Sequence, residues 1–195
     1  METKARSTIE SLVLPAREVM RELNGSRNPA CRIRMPGPES HSPEEFVTYL
    51  AIEKQYEQKY GPLFEILTSH AGYGNNTFIE NGQIVYPADA INWLDNIIKP
   101  ALDKYGNGRP FWLTEGGVRN DLIYQGQDPL ILQAQLEKEF YQAVVARPWI
   151  AAYVHYHLLD QALATGYGVL NSVTEAPLPA AGAIASVINP QNINQ

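Results

Sequence analysis

The strongest constraint on this chain is the regular alternation of short apolar runs with long amphipathic ones. Four strand-like segments, Cys31–Met35, Leu63–Ser69, Phe111–Glu115 and Trp149–Tyr156, are each separated from the next by a helix-like segment. A long helix between successive strands forces crossover connections, and crossovers make the strands parallel. The helix signals are clear. Ser42 is placed as an N-cap with Pro43 at the first helical position and Glu45 completing a capping box, and this helix runs to about Tyr60 before Gly61. The next spans Pro87–Tyr105, with Ile91, Leu94, Ile98, Leu102 and Tyr105 on one stripe and Gly106 as its stop. Asp128 and Pro129 open another that reaches about Ala146. At the N-terminal end, Thr3–Leu23 carries Ile9, Leu12, Val13, Ala16 and Met20 on one side, and Pro15 predicts a kink or a late start. A weak helix is expected at Pro179–Val187, a polar loop over His70–Gln83 and a polar tail over residues 189–195.

Two α/β architectures accommodate this order, a small doubly wound parallel sheet or part of a (β/α)8 barrel. A whole barrel takes roughly 200–250 residues. Four βα units in 195 residues amount to half of one, so the chain reads as a single domain over residues 1–195. Apolar side chains make up 45% of it, which argues against disorder. The net charge of -6 argues against a nucleic-acid partner, because phosphate binding needs a concentrated basic face. Cys31 is the single cysteine and cannot form an internal disulfide. No apolar run approaches the roughly 20 residues that cross a bilayer, and Met1–Glu10 lacks the charged-then-apolar pattern of a signal peptide.

Polar residues collect where the strands end, the place where open and closed α/β folds both build their sites. The second strand runs into Thr68-Ser69-His70-Ala71-Gly72-Tyr73-Gly74, the third into Thr114-Glu115-Gly116-Gly117, the fourth into His155-Tyr156-His157-Leu158-Leu159-Asp160. A carboxylate straight after an apolar strand and before two glycines is poorly placed for mere solubility. His70 alone is as well explained by a loop hydrogen bond. His155 and His157, two apart in a strand, fall on one face and could bind a metal together; stacked or hydrogen-bonded histidines are the competing reading. No motif calls for a cofactor: Gly72-Tyr73-Gly74 is a bare GxG without a helix behind it, and no Gly-Lys-Ser/Thr loop occurs. Eleven tyrosines and three tryptophans suit stacking against sugars, and suit a core equally.

Taken together, the three strand ends resemble the second half of a clan A retaining glycoside hydrolase, a (β/α)8 barrel group. Phe111-Trp112-Leu113-Thr114-Glu115-Gly116 is similar to the Thr-Glu-aromatic-Gly pattern that closes the clan's seventh strand, with Gly116 in place of the aromatic residue. His70-Ala71-Gly72-Tyr73-Gly74 is similar to a His-x-Tyr-Gly stretch after the sixth, one residue longer. Tyr156 and Asp160 match the aromatic floor and the following Asp of the eighth, and Gly166-Tyr167-Gly168-Val169-Leu170 resembles the closing Phe-Gly-Leu segment. The resemblance runs from about Ile9 to Ile188. It implies that the chain holds strands five to eight, that Glu115 is the nucleophile, and that His70, Tyr73, Trp112, His155, Tyr156 and His157 surround an oligo- or polysaccharide.

The same resemblance places the acid/base glutamate in an Asn-Glu pair on the fourth strand, and this sequence contains no Asn-Glu. Glu39, after the first strand, is at the wrong strand end. A fragment or truncated remnant of a glycosidase is therefore expected, inactive alone. Its uncovered sheet face, with Leu113, Ala152 and Val154, would invite self-association. The competing readings are a carbohydrate-binding or interaction remnant without turnover, a metal-dependent hydrolase using His155 and His157, and a flavodoxin-like domain, for which no phosphate loop is present.

Overall fold

The computed structural model describes residues 2–25, 37, 40, 42–74, 77–159 and 166–189. The candidate strand Cys31–Met35, Glu39, Asp160 and residues 190–195 lie outside them. In chain order the strands are β1 (Leu67–Ser69), β2 (Ile79–Glu80), β3 (Gln83–Ile84), β4 (Phe111–Leu113) and β5 (Ile150–Tyr153). The helices are α1 (Glu2–Thr8), α2 (Leu14–Gly25), α3 (Pro43–Tyr60), α4 (Ala88–Trp93), α5 (Lys99–Tyr105), α6 (Pro129–Val145) and α7 (Pro179–Ile188).

Ser42 and Asp128 act as the N-caps that the sequence predicts. The Ser42 hydroxyl accepts the Glu45 N–H at 3.1 Å and the Asp128 carboxylate accepts the Leu130 N–H at 2.9 Å. Gly61 closes α3 at φ 71°, a conformation that costs a glycine nothing. Two prolines stand inside continuous helical segments. α1 continues through a π-turn at Ile9–Val13 into α2, and α4 through a π-turn at Leu94–Ile98 into α5. Each π-turn ends two residues before a proline, Pro15 and Pro100. Proline offers no N–H and its ring crowds the carbonyl four residues back, so one widened turn ahead of it lets the helix continue. The late start expected from Pro15 does not occur.

β1, β4 and β5 form one parallel sheet in that spatial order, with Leu67, Thr68 and Ser69 opposite Phe111, Trp112 and Leu113. Among the described residues, the spatial order of these three strands follows chain order. On the far edge of β1, Gly37 donates to the Ile66 carbonyl and His70 donates to the Ser40 carbonyl. The strands are shorter than expected, but the ladder continues beyond them: Thr114 N–H reaches Ser69 O at 3.0 Å and Tyr156 N–H reaches Gly116 O at 2.9 Å. The β2–β3 hairpin takes up the end of the expected polar loop and passes one residue beyond it. Its signal is Asn81-Gly82, both at positive φ as a type I′ turn requires.

Helices pack on the face carrying Phe111 and Leu113, both essentially buried. Phe46 of α3 meets the Phe111 ring edge-on at 5.5 Å, and Phe140 of α6 meets Tyr153 at 5.4 Å. Leu113 therefore faces the helices, and its expected place on the uncovered face is corrected. A bulge makes Ala151 the extra residue between the pairs Phe111–Ile150 and Trp112–Ala152. Trp112, 36% exposed, alternates away from Phe111 and Leu113 along β4, and Val154 is 47% exposed. α7 packs on α6 through a smaller cluster of Val169, Ala180 and Ile184.

Candidate active site

The ends of β1, β4 and β5 bring four of the expected residues together. Glu115, 31% exposed, lies two residues beyond β4, and His70, nearly buried, follows β1 directly. His70 Nδ1 and the Tyr73 hydroxyl each lie 3.4 Å from Glu115 Oε2. Both contacts are long for hydrogen bonds, and a movement of about half an ångström brings either into the ordinary range. Tyr73 comes from the 3-10 turn Ala71–Tyr73, where its phenol is pushed up by burial and by the neighbouring Glu115, so it stays a neutral donor.

Tyr73, Tyr156 and Tyr167 form a closed trio, each pair edge-on with ring centroids 5.6–5.9 Å apart. His157 stacks on Tyr156 at 3.9 Å with 15° between the planes, making one flat aromatic slab. Beyond Tyr167 an open cleft of about 370 Å3 is bounded by Phe78, Leu122, Ile123 and the ion pair of Arg119 and Asp121. Trp112 sits on the sheet itself, partly exposed.

His155 does not join this group. It follows Tyr153 onto the helix side, where its Nδ1 is 3.8 Å from Glu137 and its ring is 6.4 Å from Tyr141. The extended strand ends at Tyr153, so the alternation expected to align His155 with His157 is lost, and the two rings have different partners. Among the described residues no group of three His, Cys, Asp or Glu side chains is arranged to hold a metal ion. Sequence reading did not weigh Tyr167 as a site residue, nor Glu137; the latter's signal is a carboxylate beside the apolar line Leu132, Leu136 and Phe140 of α6.

Close packing explains why position 116 is a glycine. A Cβ at Gly116 would lie 2.7 Å from the Tyr153 hydroxyl and 3.1 Å from Gly72 Cα, and one at Gly72 would lie 2.7 Å from the Glu115 carbonyl. Gly116→Ala is expected to cost about 1–3 kcal/mol of stability through overpacking. Tyr153→Phe removes the hydroxyl but leaves the ring carbon Cε2 2.8 Å from the new Cβ, so it should recover only part of that cost in a double-mutant cycle by urea unfolding. Strictly additive costs would mean that Tyr153 is not the obstacle.

No family model matches the chain, and no curated protein does. Solved structures do. The GH128 (subgroup I) endo-β-1,3-glucanase of Amycolatopsis mediterranei is similar at TM-score 0.57 and 15% identity, over 90% of this chain and 65% of that one. A β-glucuronidase of an uncultured Clostridium sp. is similar at TM-score 0.52 and 15% identity, over 90% of this chain and 35% of that one. Xylanase 10B of Thermotoga maritima follows at TM-score 0.50 and 15% identity, over 78% of this chain and 46% of that one. This chain spans less than two thirds of each of these enzymes. The fold is glycoside hydrolase-like over the part of these enzymes that the chain covers.

Proposed function

We propose that this chain carries the nucleophile half of a retaining (β/α)8 glycoside hydrolase of the clan A kind, with β1, β4 and β5 as its sixth, seventh and eighth strands. The observation that carries the reading is the approach of His70 and Tyr73 to Glu115, with Tyr156 against the Tyr73 ring, at the C-terminal ends of three neighbouring parallel strands. Glu115 attacks the anomeric carbon, the bond from that carbon to the leaving oxygen breaks, and a glycosyl ester on Glu115 results. Tyr73 and His70 orient the carboxylate, and the Tyr156–His157 slab stacks under a sugar ring. Trp112 and the cleft beside Tyr167 extend the contact surface for further sugar units. A β-linked oligosaccharide is the substrate this reading favours, supported by the glucanase structure in complex with laminaritriose.

The leaving oxygen takes its proton from a second carboxyl, which retaining enzymes hold roughly 5 Å from the first. The resemblance assigns it to an Asn-Glu pair, and this sequence has none. A test that needs no acid is therefore the decisive one. Fluoride leaves without protonation, so a 2-deoxy-2-fluoro-β-glycosyl fluoride of glucose or laminaribiose should esterify Glu115 directly: the C1–F bond breaks as the C1–O bond to the carboxylate forms. Peptide mass spectrometry should find the adduct on the segment containing Glu115. Saturable sugar binding with no adduct at any concentration would instead indicate a binding remnant and end the catalytic reading.

A further inference from the structure

Behind the Glu115 loop lies a polar cluster that this chemistry leaves unused. Glu137 sits in the middle of α6 with its side chain fully buried. Its Oε1 accepts the Val118 N–H at 2.6 Å, and its Oε2 has no hydrogen-bond partner among the described residues. His155 Nδ1, also buried and without a partner there, lies 3.8 Å from Glu137 Oε1. The other ring nitrogen, Nε2, is 3.1 Å from the Tyr167 carbonyl. A carbonyl only accepts, so Nε2 carries the hydrogen, and in the neutral ring Nδ1 is a bare acceptor turned toward a carboxyl group.

Charge at this place is disfavoured from every side. Burial pushes Glu137 up to about 8 and lowers His155, leaving a carboxylic acid beside a neutral imidazole at neutral pH. The other titratable groups near Glu137 are phenols: Tyr86 ahead of α4, Tyr141 on α6 and Tyr153 on β5. All three are pushed up by burial and stay uncharged; His157 is the further titratable neighbour of His155.

We propose that Glu137 and His155 form a buried acid–imidazole pair that shares one proton and positions Glu115 from behind. The positioning role rests on the reading of Glu115 as nucleophile; the proton sharing does not. Two contacts connect the pair to the site. Glu137 holds Val118, three residues after Glu115, and His155 holds the carbonyl of Tyr167, whose ring lies 5.8 Å from that of Tyr73. The intervening loop rests directly on the pair: a Cβ at Gly117 would lie 3.2 Å from His155 Cε1 and 3.6 Å from Glu137 Oε1. Closing the present 3.8 Å gap to hydrogen-bond length takes about 1 Å of movement.

The test compares the full chain with Glu137→Gln and Glu137→Leu, each labelled with 15N-histidine. In the parent chain His155 should hold the Nε2–H tautomer with a hydrogen-bonded Nδ1. Esterification of Glu115 by the fluoroglycosyl fluoride should slow as pH rises through about 8, where Glu137 loses its proton. In Glu137→Gln the position that meets both Val118 N–H and Nδ1 becomes an amide oxygen, with the N–H at the Oε2 position. The Val118 bond and most of the rate should therefore remain, the pH limb should be lost, and the Nε2–H tautomer should rest on the Tyr167 carbonyl alone. Glu137→Leu should slow esterification roughly tenfold to a hundredfold, the usual loss when an orienting partner is removed. Stability should agree. The folded carboxyl keeps its proton to about 8 and the unfolded one releases it near 4.5, so parent stability falls as pH rises across that window and Glu137→Gln flattens the fall. A tautomer mixture at His155 with ordinary titration, or identical pH profiles in parent and Glu137→Gln, overturns the pair whether or not Glu115 is labelled. Absence of the adduct with the tautomer as expected removes the nucleophile reading and the positioning role with it, and leaves the shared proton standing.

Discussion

Replacing Glu115 by Gln should abolish esterification by fluoroglycosyl fluorides and, in any preparation that turns over glycosides, lower the rate by roughly 10^4-fold or more, the scale on which enzymes lose a nucleophile. The amide is nearly isosteric, and Tyr73 and His70 both approach the same Glu115 oxygen, so the substitution should leave the fold and its melting temperature nearly unchanged. Glu115→Ala adds a discriminating outcome. Removing the carboxylate opens space beside the anomeric carbon, and added azide should attack there, giving a glycosyl azide of inverted configuration from an activated donor. Near-parent rates in Glu115→Gln, or product of unchanged configuration with azide, would take Glu115 out of the mechanism.

The largest stability effect is expected from Arg109→Ala, far from the chemistry. Arg109 Nη1 donates to Glu53 at 2.6 Å and to the Phe64 carbonyl at 3.0 Å, and its other nitrogens reach the carbonyls of Gly106 and Tyr105. Glu53 is 1% exposed and also accepts the N–H groups of Leu63 and Phe64. One ion pair thus ties α3, the approach to β1 and the turn after α5. Removing the guanidinium leaves a buried carboxylate with only backbone partners, which costs roughly 3–5 kcal/mol. For a chain of this size that lowers the melting temperature by roughly 10 °C. Arg109→Lys keeps the charge but not the fork, and should fall between. A loss below about 1 kcal/mol in Arg109→Ala, measured by urea unfolding, would show that the pair is not a structural anchor.

Much of the fold was legible because its signals are local. Ser42-Pro43, Asp128-Pro129 and Gly61 mark helix ends through hydrogen bonds and backbone preferences confined to a few residues, and the helices start and stop there. Helix–strand alternation likewise implied parallel strands, which β1, β4 and β5 are. The order of strand ends also placed His70, Tyr73, Glu115 and Tyr156 in one neighbourhood, because parallel strands must all end on the same side of a sheet.

What the sequence could not decide depends on partners distant along the chain. Whether His155 looks toward the sugar site or toward α6 turns on a bulge in β5 and on where extended backbone stops, and both are settled by packing of Tyr153 against Phe140. Leu113 faces the helices for the same reason, since the direction of alternation is set by the layer that buries Phe111. The glycine at position 116 is intelligible only beside Tyr153 and Gly72, neither of them near in sequence. Glu53 and Glu137 read as ordinary helical carboxylates until tertiary structure removes water from both and supplies Arg109 to one and His155 to the other. Sequence alone determined the succession of elements and the end of the sheet where polar residues gather, since turns, caps and periodicity act over a few residues. Tertiary structure alone decided which side chains face each other there, because burial and charge compensation exist only once remote segments have packed.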